Sequence, residues 1–85
     1  MISLEALSEL IMVSDHIIII GEDYTLSFDK EDVSCDSPPE GGLIEFGFKH
    51  HKKRLFMDNV VHIIWEVNSL TLTIFEERKT KNEDE

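Results

Sequence analysis

HIIIIGEDYTLSF, residues 16–28, is the stretch that decides the fold. Four consecutive isoleucines are β-branched and stiff at χ1, so they pack poorly on a helix surface and well in a sheet. Gly21-Glu22-Asp23 supplies a turn, and Tyr24-Thr25-Leu26-Ser27-Phe28 then alternates with period two. The segments around that turn read as a hairpin, with 16–20 a strand buried on both faces.

Upstream, Ser3 is an N-cap, followed by Leu4, Leu7, Leu10 and Ile11 at helical spacing, with Glu5 placed to favour the positive end of the dipole. Ser14-Asp15 ends this short amphipathic helix. Downstream, residues 29–42 contain almost nothing to bury and finish in Pro-Pro and Gly-Gly, which predicts a long exposed loop. A meander follows over 43–49, 52–57, 60–67 and 70–76, separated by the turn candidates His50-His51, Asp58-Asn59 and Asn68-Ser69. Segment 60–67 is apolar on both faces, which suits a central strand or one covered by a partner. A single helix shields one side of a sheet, so the sheet is expected to curl on itself or dimerise.

The fold class expected is therefore α+β: one domain over residues 1–78, a short N-terminal helix and a mainly antiparallel, curled meander of five to six strands. Residues 79–85 read as a charged disordered tail. This element order resembles that of Sm-like and SH3-like small barrels. The resemblance is architectural; Sm signature residues are absent, so it implies no site residues.

Charge is distributed unevenly. Residues 1–45 carry eleven carboxylates against the single cation Lys30, whereas from Phe46 onward seven acids meet seven bases; the chain's formal net charge is −10. Such a field attracts basic partners and repels nucleic acid and anionic lipid. Cys35 is the lone cysteine of the 85 residues, which excludes an intrachain disulfide and fits a reducing compartment. The start lacks a basic segment, and the longest aliphatic run near it is Ile17 to Ile20, too short to span a bilayer. A cytoplasmic protein without membrane contact is the expectation.

Catalytic and metal chemistry find little purchase. Asp29, Glu31, Asp32 and Asp36 are oxygen donors, but Ser34 and Cys35 interrupt them where a calcium loop of the EF-hand type needs its glycine and final bidentate acid. Adjacent His50 and His51 point to opposite faces of a strand and so do not converge on zinc, and His62 reads as a core or edge histidine. Asp32 and Asp36 disfavour a thiolate at Cys35. Gly41-Gly42 lacks the strand and helix of a phosphate cradle. No metal, no cofactor and no enzymatic activity are expected.

These readings lead to a small acidic inhibitor, a nucleic-acid mimic of the immunity-protein or phage-antagonist kind, masking a nucleic-acid-binding or nucleic-acid-processing protein. Glu22, Asp23, Asp29, Glu31, Asp32, Asp36 and Glu40 would stand where phosphates sit, with Tyr24 and Phe28 as apolar anchors. The alternative is a homo-oligomeric scaffolding module, with Trp65 and Phe75 in its interface and acidity serving only solubility. A third reading is single-stranded nucleic-acid binding through the basic hairpin 49–54, where Phe46, Phe48 and Phe56 are interleaved with cations. The net charge opposes it. Small-molecule binding lacks convergent polar groups in the sequence.

Overall fold

The computed structural model describes residues 2–36, 41–48 and 50–77; the 79–85 tail and Glu40 lie outside the described residues. Helix α1, Leu4–Val13, begins where expected: the Ser3 hydroxyl accepts a hydrogen bond from the Ala6 N–H at 3.1 Å. It stops at Ser14, whose backbone is extended and whose buried hydroxyl donates to the Leu10 carbonyl at 2.6 Å. That bond satisfies one of the carbonyls a helix end leaves open.

Strands β1, His16–Ile20, and β2, Thr25–Asp29, form the anticipated antiparallel hairpin, with Ile17 opposite Phe28 and Ile19 opposite Leu26. A 3₁₀ turn, Lys30–Asp32, and a short strand β3, Ser34–Asp36, follow. Then come β4, Leu43–Phe48, β5, His51–Phe56, a second 3₁₀ turn at Met57–Asn59, β6, Val60–Glu66, and β7, Thr71–Glu76. They build two sheets, one ordered β2-β1-β7-β6 and one ordered β3-β4-β5.

The architecture is α+β, but the single curled meander is corrected. Seven strands divide into sheets of four and three, and no barrel closes among the described residues. The break falls at Asp58-Asn59, which is not a hairpin turn: its 3₁₀ turn carries the chain from one sheet to the other, so β5 and β6 do not pair. The first sheet is mixed because β7 lies parallel to β1, with His16 beside Thr71 and Ile20 beside Phe75.

That parallel pairing also reorders the sheet. β7 is central, whereas segment 60–67, expected as a central strand or one covered by a partner, supplies the edge strand β6, with Val61 and Ile64 exposed. β1 is not covered on both faces either. Ile17 and Ile19 are fully buried while Ile18 and Ile20 are half-buried, because α1 and the second sheet pack only on the inner side. Within the segment expected as an exposed loop, residues 30–32 form a 3₁₀ turn and 34–36 form β3, which pairs with β4 through Cys35 opposite Phe46.

One core joins the layers. Leu7 and Ile11 of α1 meet Ile17, Ile19, Leu72 and Ile74 of the first sheet and Ile44, Phe46 and Leu55 of the second. Phe46 is fully buried, its ring centroid 5.5 Å from that of Phe28.

Candidate functional site

The β1–β2 turn is shaped by Gly21. Its N–H donates to the Tyr24 carbonyl at 2.9 Å, and the Tyr24 ring lies so close that a β-carbon on Gly21 would sit 2.3–2.7 Å from ring atoms. Only glycine leaves room for the tyrosine to fold back over the turn. The phenol is thereby directed toward the junction between the sheets.

There it meets two charged groups supplied by the inward face of each sheet. Glu76 follows Leu72 and Ile74 along the buried side of β7, and Lys53 precedes Leu55 on the corresponding side of β5. The Tyr24 hydroxyl donates to Glu76 Oε1. Lys53 Nζ donates to Glu76 Oε1 at 2.7 Å and to the Tyr24 hydroxyl at 3.0 Å. It also lies 5.1 Å from the Tyr24 ring centroid, within cation–π range. The Glu76 side chain is 6% exposed and that of Lys53 18%, so the pair is largely removed from water.

Desolvation, with the hydrogen bond to Glu76, raises the Tyr24 pKa despite the opposing influence of Lys53. For Lys53, burial works against the charge, but its hydrogen bonds to Glu76 and Tyr24 outweigh this and the pKa rises. The stable arrangement is thus a protonated phenol, an ammonium and a carboxylate, pinning the two sheets together.

Around this network opens a pocket of about 380 Å³, lined by Glu22, Asp23, Tyr24, Lys53, Arg54, Phe56, Asn59 and Glu76. Polar groups therefore do converge, which the sequence reading had not found, and they do so between the sheets rather than between sheet and helix. The pocket's carboxylates outnumber its cations. Lys53 is held by Glu76, and Arg54 Nε donates to Glu45 at 3.2 Å. Glu22 and Asp23 are exposed, as are the residues Tyr24 at 40% and Phe56 at 43%.

The other expected contact residues are dispersed. Phe28 points into the core against Phe46, as its inward position on β2 requires. Asp29 pairs with His16, Nδ1 to Oδ1 at 2.6 Å, at the end of the hairpin opposite Glu22 and Asp23. Glu31 and Asp32 are exposed on the first 3₁₀ turn, and Asp36 is exposed at the end of β3 opposite Glu45. Glu22 and Asp23 thus lie beyond one end of β2 and Asp29, Glu31 and Asp32 at the other, roughly 17 Å apart at strand rise. Cys35 is exposed on β3; partial burial of its side chain and the charge of Asp36 push the thiol up to about 11, so it stays protonated at neutral pH. Among the described residues, no three His, Cys, Asp or Glu side chains are grouped to hold a metal ion, and no helix is long and apolar enough to cross a membrane.

Of the residues lining the pocket, the sequence pointed to Glu22, Asp23 and Tyr24 as partner contacts and to Lys53, Arg54 and Phe56 only as part of a separate basic hairpin; Asn59 and Glu76 were not singled out. The available signal was Glu76, an acid in the same alternating register as Leu72 and Ile74, which demands a buried partner. In comparisons with known protein families, curated proteins and solved structures, none matches this chain.

Proposed function

We propose that this chain is a small acidic protein-binding module that masks a basic surface on a nucleic-acid-binding or nucleic-acid-processing protein. The observation that carries this reading is the mouth of the Tyr24 pocket. Among the described residues Glu22 and Asp23 there have no ion-pair partner and stand beside the exposed residues Tyr24 and Phe56, while the nearby cations Lys53 and Arg54 are each engaged by a carboxylate. That combination suits an arginine or lysine side chain from a partner. The carboxylates pair with the cationic head, and the rings of Tyr24 and Phe56 stack on its planar group or stem. The second acidic group, Glu31 and Asp32, adds long-range attraction that raises the association rate.

Direct nucleic-acid binding through 49–54 draws less support, because Lys53 and Arg54 of that segment are tied to Glu76 and Glu45. Titration with an arginine-rich peptide and, separately, with single-stranded DNA of equal charge magnitude tests the assignment. Binding of the peptide, weakened by salt and abolished by Glu22→Lys with Asp23→Lys, is the expected result. Peptide affinity unchanged by those two reversals, or tighter binding of the DNA, overturns it.

A further inference from the structure

The two sheets have four edges, and three are guarded. β3 is only three residues long and ends in Asp36; β5 carries Lys52, Lys53 and Arg54; β2 alternates polar residues and ends in Asp29. Short length and charge are the usual devices against unwanted strand pairing. β6 has neither. It is the longest strand at seven residues, its one formal charge is Glu66, and it exposes Val61 and Ile64, with Val67 exposed just beyond. Among the described residues no strand pairs with its outer side.

We propose that β6 is a dimerisation edge, pairing antiparallel with β6 of a second copy of this chain about a two-fold axis at Ile64. Two independent features fix that register. A bulge interrupts β6 between Val60 and His62, so its regular stretch is 62–66, and the centre of that stretch is Ile64. Centring there also sets His62 across from the partner's Glu66, twice by symmetry, and these residues share the outer face of the sheet with Ile64. Ile63 then lies opposite the partner's Trp65, and Val61 comes beside the partner's Val67. A register centred one residue earlier instead places Glu66 against buried Val60 and leaves Val67 without an apolar neighbour.

Charge distribution agrees. β2, which carries the acid-rich turns at its two ends, is the opposite edge of the same sheet, three strand spacings or about 14 Å from β6. The pairing thus joins two chains through the edge of this sheet that lies farther from its acid-rich turns. Each gains backbone hydrogen bonds at an otherwise open edge, and the product is one continuous eight-stranded sheet.

Sedimentation equilibrium of the full chain across the micromolar range is expected to show a monomer–dimer equilibrium. Ile64→Asp, at a site 44% exposed in the monomer and so compatible with folding, brings two like charges together at the axis and raises the dissociation constant about a hundredfold. His62→Glu opposes carboxylates at both symmetric pairs and weakens the dimer about tenfold, and adding Glu66→Lys restores it. Hydrogen exchange supplies a second readout, in which the amides of 62–66 gain protection as concentration rises. A chain that stays monomeric throughout, or a dimer indifferent to Ile64→Asp, overturns the proposal. So does failure of the charge swap to rescue, or protection of 62–66 that does not depend on concentration, as cover by the chain beyond Glu77 would give.

Discussion

Glu76 occupies a position where the alternation of β7 calls for an apolar side chain, and its contacts with Tyr24 and Lys53 make the cost of that choice measurable. Removing one member of a largely buried ion pair strands the other, whereas replacing both by apolar groups of similar volume is often neutral. Glu76→Ala is therefore expected to lower stability by about 2 to 3 kcal/mol, discounted because Lys53 keeps some contact with water. Glu76→Leu combined with Lys53→Met is expected to recover most of that loss, as read from urea midpoints at constant slope. The same network sets an alkaline limit. Both Tyr24 and Lys53 have raised pKa values, so the folded chain holds their protons to higher pH than the unfolded one. Their stabilisation is fully present below the unfolded values near pH 10 and is lost as pH rises through the folded values. Tyr24→Phe with Lys53→Met is expected to flatten the fall in stability above about pH 10; a fall as steep as in the parent chain would place its origin elsewhere.

Among the elements, the β1–β2 turn is the most exacting. Gly21→Ala places a methyl group against the Tyr24 ring, and relieving the overlap displaces the ring from Glu76 and Lys53. A loss of about 1 to 3 kcal/mol is expected from thermal or urea unfolding, together with weaker peptide binding at the pocket. Ser3→Ala removes the side-chain cap of α1 and is expected to cost about 1 kcal/mol without affecting binding. Both features were legible in the sequence, because a cap, a helical spacing and a Gly-Glu-Asp turn are local signals. Strand neighbours were not. Alternation assigns a side chain to a face, but nothing in residues 60–67 or 71–76 says which of the two lies beside 16–20, and that non-local choice put β6 at the edge. β3 was invisible for another reason: Ser34, Cys35 and Asp36 are all exposed, so its backbone pairing to β4 leaves no apolar pattern. The pocket fell between these limits. Glu22, Asp23 and Tyr24 lie in one turn, whereas Lys53 and Glu76 join them only once two separate sheets are stacked.

At the scale of the whole molecule, most of the described acids face outward, and two of the four described cations, Lys53 and Arg54, are held in carboxylate pairs. Glu22, Asp23, Glu31, Asp32 and Asp36 are exposed, while Lys53–Glu76 and Arg54–Glu45 are ion pairs and His16 is bonded to Asp29. A net charge of −10 within a Cα radius of gyration of 12.6 Å makes self-repulsion a property of the fold. The Debye length is about 30 Å at 0.01 M salt, longer than that radius, and about 8 Å at 0.15 M, shorter than it. Raising salt across this interval should therefore screen repulsion between the two acidic groups more than it weakens the sheltered Lys53–Glu76 pair. A stability gain of about 1 kcal/mol is expected, seen as a rise in Tm of about 4 to 8 °C for a domain of this size. Glu31→Lys with Asp32→Lys, both exposed, should reproduce part of that gain at low salt and reduce the further effect of adding it. A Tm that falls with salt would mean that attraction within pairs such as Lys53–Glu76 and Arg54–Glu45 outweighs repulsion across the surface, and the reversals would then leave its slope unchanged.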